Sequence, residues 1–110
     1  MILLPDNWSA STYSLSNTND IENAHYSNNI ISVSQWNTYL GANGAVFLPA
    51  AGYRSGTSVY DYNYAGYYWS ASYDWSTDAF GFVFANYEGM GTTYYDRCRG
   101  HSVRLVRNAE

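Results

Sequence analysis

Hydrophobic and polar positions divide the chain into short elements. Ile2-Leu3-Leu4-Pro5 is a brief apolar run that ends at a proline and a polar turn, a pattern typical of a short strand. The segment from Ser9 to Asn29 is rich in Ser, Thr and Asn and has little apolar periodicity. It is therefore predicted to be a long surface loop.

A short helix is predicted from about Val33 to Leu40. Ser32 and Gln35 have the spacing of a capping box, in which each side chain binds the backbone N–H of the other residue. Apolar residues recur at helical spacing through this segment. Gly41 is predicted to end the helix, because glycine favours the left-handed conformation at helix C-termini. The run from Gly44 to Pro49 then predicts a buried strand ended by proline.

Three further strands are predicted at 67–70, 79–84 and 101–106. In the second of these, phenylalanines alternate with small residues and Val, so one face of that strand is expected to lie in the core. These patterns together predict a single contiguous core made of Trp36, Phe47, Leu48, Trp69, Phe82, Phe84, Val103 and Leu105.

Length and composition favour one globular domain over residues 1–110, with room for a single core. Five arginines supply every positive charge against nine acidic residues, so there is no basic stripe for nucleic acid or an anionic membrane. No apolar run approaches the ~20 residues that cross a bilayer. Cys98 is the sole cysteine, which excludes an internal disulfide. No residues at metal-ligand spacing predict a metal or other cofactor.

Between about residues 58 and 101 the sequence is dense in Tyr, Asp, Asn, Ser, Thr and Gly. Such residues make adaptable binding surfaces at low entropic cost. This stretch is predicted to display a ligand-binding surface, and an aromatic content of 19% also calls for more than core filling. The candidate contact residues are Tyr60, Tyr62, Tyr64, Tyr73, Asp74, Asp78, Phe80, Tyr87, Tyr94, Tyr95, Asp96, Arg97 and Arg99.

Several of these residue types also have purely structural explanations. Trp69 is expected to be core, or a wall beneath the surface, because tryptophan is usually well buried. The alternating tyrosines at 60, 62 and 64 fit a buried strand face and an exposed loop edge equally well. Arg97 is either a ligand contact, since arginine is common in binding hot spots, or a structural ion-pair partner.

Six motifs resemble the major paralogous domain family named from Fibrobacter succinogenes, whose members are surface proteins of gut bacteria and their phages. The motifs are L-L-P-D-N-W, S-x-x-Q-W, F-L-P-A-A-G-Y-R-S-G, G-Y-Y-W-S-A-S, D-A-x-x-F-x-F and R-x-x-G-H-S-V-R-L-V. The resemblance implies an α+β, C-type-lectin-like fold, with a short helix, small antiparallel sheets and long loops. Family domains usually carry a further strand and helix before the L-P segment, so the chain is expected to be an N-terminally trimmed domain or the tail of a larger protein.

Members of this family also occur as variable proteins of diversity-generating retroelements, in which template adenines are miscopied. An AAC or AAT codon altered at its first two bases yields fifteen residue types, but never Lys, Gln, Glu, Trp or Met. Most positions between 58 and 101 obey this rule. The exceptions are Trp69, Trp75, Glu88 and Met90.

Enzymatic function is not expected. Formylglycine-generating enzymes of similar fold need a reactive cysteine pair, the E-P-N or Q-P-D and W-N-D motifs of calcium-dependent lectins are missing, and the carboxylates are scattered. The resulting hypothesis is a retroelement-diversified display domain that recognises a protein or glycan on a cell surface. It would be extracellular, on a phage tail or a bacterial surface, within a larger or oligomeric assembly. The alternative is an adhesin or calcium-independent lectin of fixed specificity.

Overall fold

The computed structural model describes residues 1–15, 30–73, 75–85 and 89–105. In these ranges the chain is a small α+β protein with one short helical segment and three small antiparallel sheets. The sheets pair β1 (Ile2–Leu3) with β2 (Val46–Phe47), β3 (Tyr53–Ser55) with β4 (Ser58–Tyr60), and β5 (Ala65–Tyr73) with β6 (Asp78–Ala85) and β7 (Gly89–Asp96). None of the described helices is long and apolar enough to cross a membrane.

The predicted capping box opens the helical segment. The Ser32 hydroxyl accepts the backbone N–H of Gln35 at 3.1 Å, and the Gln35 amide oxygen accepts the N–H of Ser32 at 2.9 Å. The helix α1 (Val33–Gln35) continues as a π-helical turn over Trp36–Leu40 and a 3₁₀ turn over Gly41–Asn43. The predicted start is confirmed, and the helical winding runs three residues beyond the predicted end.

Gly41 does not end the helical segment, so that prediction is wrong. Gly41 keeps a right-handed helical conformation, whereas Gly44 has φ +86° and takes the left-handed position. Gly41 has a packing role instead, because a Cβ there would lie 2.9 Å from the indole nitrogen of Trp36. The sequence prediction placed the cap three residues too early, at Gly41 instead of Gly44.

The largest sheet has two different faces. Tyr68 on β5 lies opposite Phe82 on β6, and Phe84 is its neighbour on the same face. Together with Leu48, the Tyr68 and Phe84 side chains form the buried core cluster, against which Phe82 packs. The Tyr68 hydroxyl donates to the Pro49 carbonyl at 2.9 Å and so ties this face to the segment after β2. The predicted strands 67–70 and 79–84 are confirmed within β5 and β6.

The predicted core is correct only in its centre. Leu48 and Phe84 are buried, whereas Trp36, Trp69 and Phe82 are half-buried. Phe47, Val103 and Leu105 are exposed, the last at 89%, so the predicted eight-residue core is wrong for these three residues. The buried strand predicted between Gly44 and Pro49 is only the two-residue strand β2, in which Phe47 is exposed. Alternation of apolar residues indicated burial of Val103 and Leu105, but both side chains are exposed. Phe47 is also exposed, although its ring meets that of Trp36 edge-on with centroids 6.0 Å apart.

The predicted strand over 101–106 is also wrong in its described part. Only Ser102 pairs with β5, through Trp69 N–H to Ser102 O at 3.0 Å and Ser102 N–H to Tyr67 O at 2.8 Å. Beyond Ser102 the chain makes no ladder up to Leu105. The sequence prediction also missed β7 and the β3–β4 hairpin, which turns at Gly56 with φ +59°. The long loop predicted over 9–29 lies mostly outside the described residues.

Candidate functional site

An aromatic cluster covers the second face of the three-stranded sheet. Tyr67, Trp69 and Tyr95 project from this face, and Tyr53 reaches it from β3. The four rings surround the imidazole of His101, with ring centroids between 4.1 Å for stacked Trp69 and 6.1 Å for Tyr53. We call these five residues the His101 cluster. Trp69 therefore forms a wall under the surface, as one of its two predicted roles required.

His101 is buried among aromatic rings. Its side chain is 8% exposed, and neither Nδ1 nor Nε2 has a hydrogen-bond partner among the described residues. Burial is the larger cause and the nearby Arg99 guanidinium the smaller one of a lowered His101 pKa, which is about 4. The imidazole is therefore neutral at physiological pH and behaves as an aromatic packing element.

The partly exposed Arg99 side chain lies over two rings of the His101 cluster. Its guanidinium carbon lies 5.2 Å from the Tyr53 ring centroid and 5.9 Å from that of Tyr95, within cation–π range. Its Nε is 3.8 Å from a carboxylate oxygen of Asp96, which is itself exposed. A charged pair above aromatic faces offers both stacking area and polar contacts to a ligand.

The tyrosines at 60, 62 and 64 occupy an exposed edge next to this cluster. Tyr60 stacks on Tyr53 with centroids 5.5 Å apart, and all three side chains are exposed rather than core. The turn between β4 and β5 includes positive φ at Asp61 and Asn63. Asp61 is fixed there because its carboxylate accepts a hydrogen bond from the Tyr67 hydroxyl at 2.9 Å. The edge is consequently held against the His101 cluster.

Arg97 has a structural role at the other end of the sheet. Its guanidinium donates to the carbonyl oxygens of Trp75 at 3.0 Å and Asp78 at 3.2 Å, and its carbon lies 5.5 Å from the Tyr73 ring centroid. These contacts fasten the β5–β6 connection to the end of β7. The structural alternative thus describes Arg97 better than a free ligand contact, although its partners are carbonyls rather than a carboxylate.

The remaining predicted contact residues are divided. Asp78 and Phe80 are half-buried, and Asp74 and Tyr87 lie outside the described residues. Tyr94 is exposed but points to the opposite face of the sheet from Tyr95, since adjacent strand residues alternate. The structure therefore gathers Tyr60, Tyr95, Asp96 and Arg99 with the 60–64 edge and does not place every candidate on one face.

The sequence analysis did not select Tyr53 and His101, which belong to the His101 cluster, or Trp75, which is exposed near the other end of the sheet. Trp75 was noted only as one of the four exceptions to the codon rule. An exposed tryptophan between Ser, Thr and Asp residues was the available signal.

Residue types that ligate metals are dispersed in the part of the chain that the structure describes. No three His, Cys, Asp or Glu side chains there converge on a point that could hold a metal ion. Cys98 is exposed in the turn after β7. What the arrangement offers is contact area: aromatic rings, hydroxyl groups and one Arg–Asp pair.

Comparison of the chain with family models, with curated proteins and with solved structures finds no match. The class that the structure itself defines is a small α+β protein with an aromatic surface on one sheet.

His101 makes stability depend on pH. Because its pKa is lowered from 6.5 to about 4 in the folded state, the unfolded chain binds more protons between these values. The free energy of unfolding should therefore be fully retained above pH 6.5, fall as the pH drops toward 4, and lose up to about 3 kcal/mol in total. Denaturant titrations at pH 7 and pH 4.5 measure the loss.

His101→Phe is the matched variant, since it keeps an aromatic ring and removes the titrating group. Its unfolding free energy should change less between the two pH values than that of the parent. The N-terminal amine, whose pKa burial lowers to about 6, is common to both proteins and cancels in this difference. Parallel curves for parent and variant would contradict the assignment.

Proposed function

We propose that this protein is a non-enzymatic binding domain that displays a tyrosine-rich surface to a protein or glycan on a cell. The observation that carries the proposal is the exposure of its tyrosines. Five of the predicted contact tyrosines have between 48% and 73% of their side chains in solvent, whereas Tyr68 belongs to the core. These exposed tyrosines are Tyr60, Tyr62, Tyr64, Tyr73 and Tyr94.

Exposed aromatics at this density are hard to explain by folding alone. An aromatic side chain that stays in solvent adds no hydrophobic stabilisation to the fold. Where such side chains form a contiguous patch, the patch commonly marks an interaction site. Tyrosine gives large, rigid contact area with only two side-chain torsions to immobilise, and its hydroxyl adapts to polar partners. Tyr60, Tyr62 and Tyr64 lie beside the His101 cluster, where Arg99 and Asp96 add a charged pair. Tyr73 lies near Arg97 at the other end of the sheet, and Tyr94 lies on the opposite face.

Resemblance to the Fibrobacter succinogenes paralogous domain family extends this proposal to a C-type-lectin-like fold and to an extracellular place on a phage tail or bacterial surface. It also suggests diversification by a retroelement. Sequencing the genomic neighbourhood tests this directly. A near-repeat differing only at adenines, next to a reverse transcriptase gene, is the expected finding, and an ordinary gene neighbourhood would contradict it.

One contact favours the alternative, a fixed-specificity adhesin of the same class. Gly81 is reachable by the codon rule, yet a Cβ there would lie 3.1 Å from the Tyr95 ring and 3.3 Å from the Tyr68 carbonyl oxygen. Free rewriting at this position would disturb the His101 cluster. Either the rewritten positions skip Gly81, or the surface has been fixed by ordinary selection.

Binding is expected to be independent of calcium. The sequence lacks the oxygen-rich motifs with which C-type lectins hold that ion, and Ca²⁺ needs 6–8 oxygen ligands. Affinity for a captured cell-surface receptor should therefore be unchanged by EDTA, as measured by biolayer interferometry. A loss that added calcium alone reverses would count against the proposed mode of binding.

A further inference from the structure

We propose that the partner is a protein whose extended segment adds to the free edge of β7 and seats an aliphatic side chain in a hollow beside that edge. This inference rests on the proposed function and names the partner class. Strand addition draws its affinity from backbone hydrogen bonds and its specificity from pockets that receive alternate side chains. The structure supplies both parts.

The two edges of the three-stranded sheet differ. On the β5 side, Gly52 N–H donates to Ala65 O at 2.8 Å and Ser102 bonds to Tyr67 and Trp69, so that edge is covered. On the β7 side, no described strand pairs beyond β7. β7 therefore ends the sheet within the described part of the chain.

The register shows which β7 groups point outward. Arg97, just after the strand, donates its N–H to the Thr77 carbonyl at 2.8 Å, and the β6–β7 pairing is regular. Bonded and non-bonded pairs alternate along an antiparallel ladder. The N–H and C=O groups of Met90, Thr92 and Tyr94 consequently face away from β6 and can bind an added strand.

Within the described residues, β7 lacks the common features that protect an edge strand from pairing. Natural edge strands are blunted by Lys, Pro, bulges or short length, or are covered by a helix or loop. β7 is eight residues long, contains no Lys or Pro, has an unbroken register and carries no charge until Asp96. An edge that no described segment covers over this length is suited to receive a strand.

A hollow of about 170 Å³ lies beside the edge on the His101-cluster face, lined by Val83, Ala85, Gly89, Met90, Gly91, Thr92 and Thr93. A Cβ on Gly91 would meet nothing within 4 Å, so the space above this residue is unoccupied. The hollow opens to solvent on one side, and its volume leaves room for one Leu, Ile or Val side chain to rest against its lining.

The charges along β7 indicate what kind of segment could pair with it. The strand is uncharged over Gly89 to Tyr95 and ends at Asp96, and Arg97 and Arg99 follow. The complementary segment is therefore uncharged along the part that pairs with Gly89 to Tyr95. One added strand buries less than the roughly 800 Å² per partner of a standard interface, so it binds weakly alone and needs the adjoining aromatic surface.

A phage-displayed library of random linear heptapeptides, selected against the immobilised protein, provides the probe. Enriched peptides should alternate β-branched residues around one aliphatic position and contain no proline. In ¹⁵N-labelled protein, a synthetic capped copy of the enriched peptide should slow exchange of the Met90, Thr92 and Tyr94 amides. Failure to enrich any peptide, or protection confined to other residues, would overturn the proposal.

Matched variants test each part separately. Thr92→Pro removes an outward N–H, at a position where an edge strand tolerates proline, and Thr92→Ser is its control. Gly91→Leu fills the hollow, and Gly91→Ala is its control. Both larger changes should weaken peptide binding roughly tenfold or more, with the controls within about twofold. Methylation of the peptide's backbone nitrogens should also weaken its binding to the parent protein. This test remains available if Thr92→Pro fails to fold.

Two outcomes separate this inference from the proposed function. A cell-surface receptor lost on Tyr60→Ala and Tyr62→Ala, yet bound normally by the two β7 variants, would overturn strand addition and leave the binding domain intact. A parent protein that sediments as a dimer, which Thr92→Pro converts to a monomer, would show that the edge receives a second copy and also overturn the proposal. Loss of binding in both variant sets supports it.

Discussion

Phe84→Ala should lower the free energy of unfolding by roughly 3–5 kcal/mol, the range measured for buried aromatic truncations. Phe84 is 5% exposed and stacks on Tyr68 with ring centroids 6.2 Å apart. Gly66 lies directly beneath it, since a Cβ on Gly66 would be 2.2 Å from the Phe84 ring. With glycine below and rigid rings beside it, the cavity cannot collapse, and urea denaturation should show the full cost.

Tyr94→Ala is the matched control, because it removes an aromatic ring from the same face of the neighbouring strand at an exposed position. Its free energy of unfolding should change by no more than about 0.5 kcal/mol. An equally large loss in the two variants would show that the core on this face extends to Tyr94, which contradicts its exposure. An unchanged midpoint for Phe84→Ala would contradict the register of the sheet.

Local signals predicted the elements whose determinants are adjacent in sequence. The capping box needs only Ser32 and Gln35, and both of its hydrogen bonds are present. Phe82 and Phe84 share a strand face by alternation alone, and that face is the core. Such features depend on a few bonds along the chain, so no knowledge of distant neighbours is needed.

Features that depend on distant partners were not predictable in this way. Val103 and Leu105 alternate like a buried strand, but only Ser102 in that segment reaches β5. β7 is built from Gly, Thr and Tyr with few apolar residues, and its existence follows from pairing with β6 over eight residue pairs. Apolar periodicity indicates which environment would suit a residue. Whether the fold provides that environment depends on residues that are distant in sequence.

The candidate site shows the same limit. The tyrosines at 60, 62 and 64 were equally compatible with core and contact, and only their exposure distinguishes the two. Arg97 was grouped with Arg99 because both belong to a hot-spot residue type. Three-dimensional contacts separate them, since Arg97 binds two backbone carbonyls whereas Arg99 lies over exposed aromatic faces.

A library randomised at the five exposed tyrosines should keep its fold in most members and lose the parent's receptor. Surface changes away from caps and cores usually stay within about ±0.5 kcal/mol each. The ring contacts that Tyr60 makes with Tyr53 and Tyr73 with Arg97 add only about 1 kcal/mol. Removal of an aromatic anchor from an interface commonly costs 2 kcal/mol or more of affinity. Yeast display, sorted separately for expression and for receptor binding, measures both quantities.

A second library at Phe80, Gly81, Tyr95 and Arg97 is the matched control. These positions also obey the codon rule, but their side chains or backbone make packing or hydrogen-bond contacts within the fold. A Cβ on Gly81 would press on the Tyr95 ring at 3.1 Å, and Arg97 holds the β5–β6 connection. Most members of this library should fail to fold. If instead the exposed-tyrosine library collapses and the control library survives, those tyrosines stabilise the fold, and a display surface built on them has no physical basis.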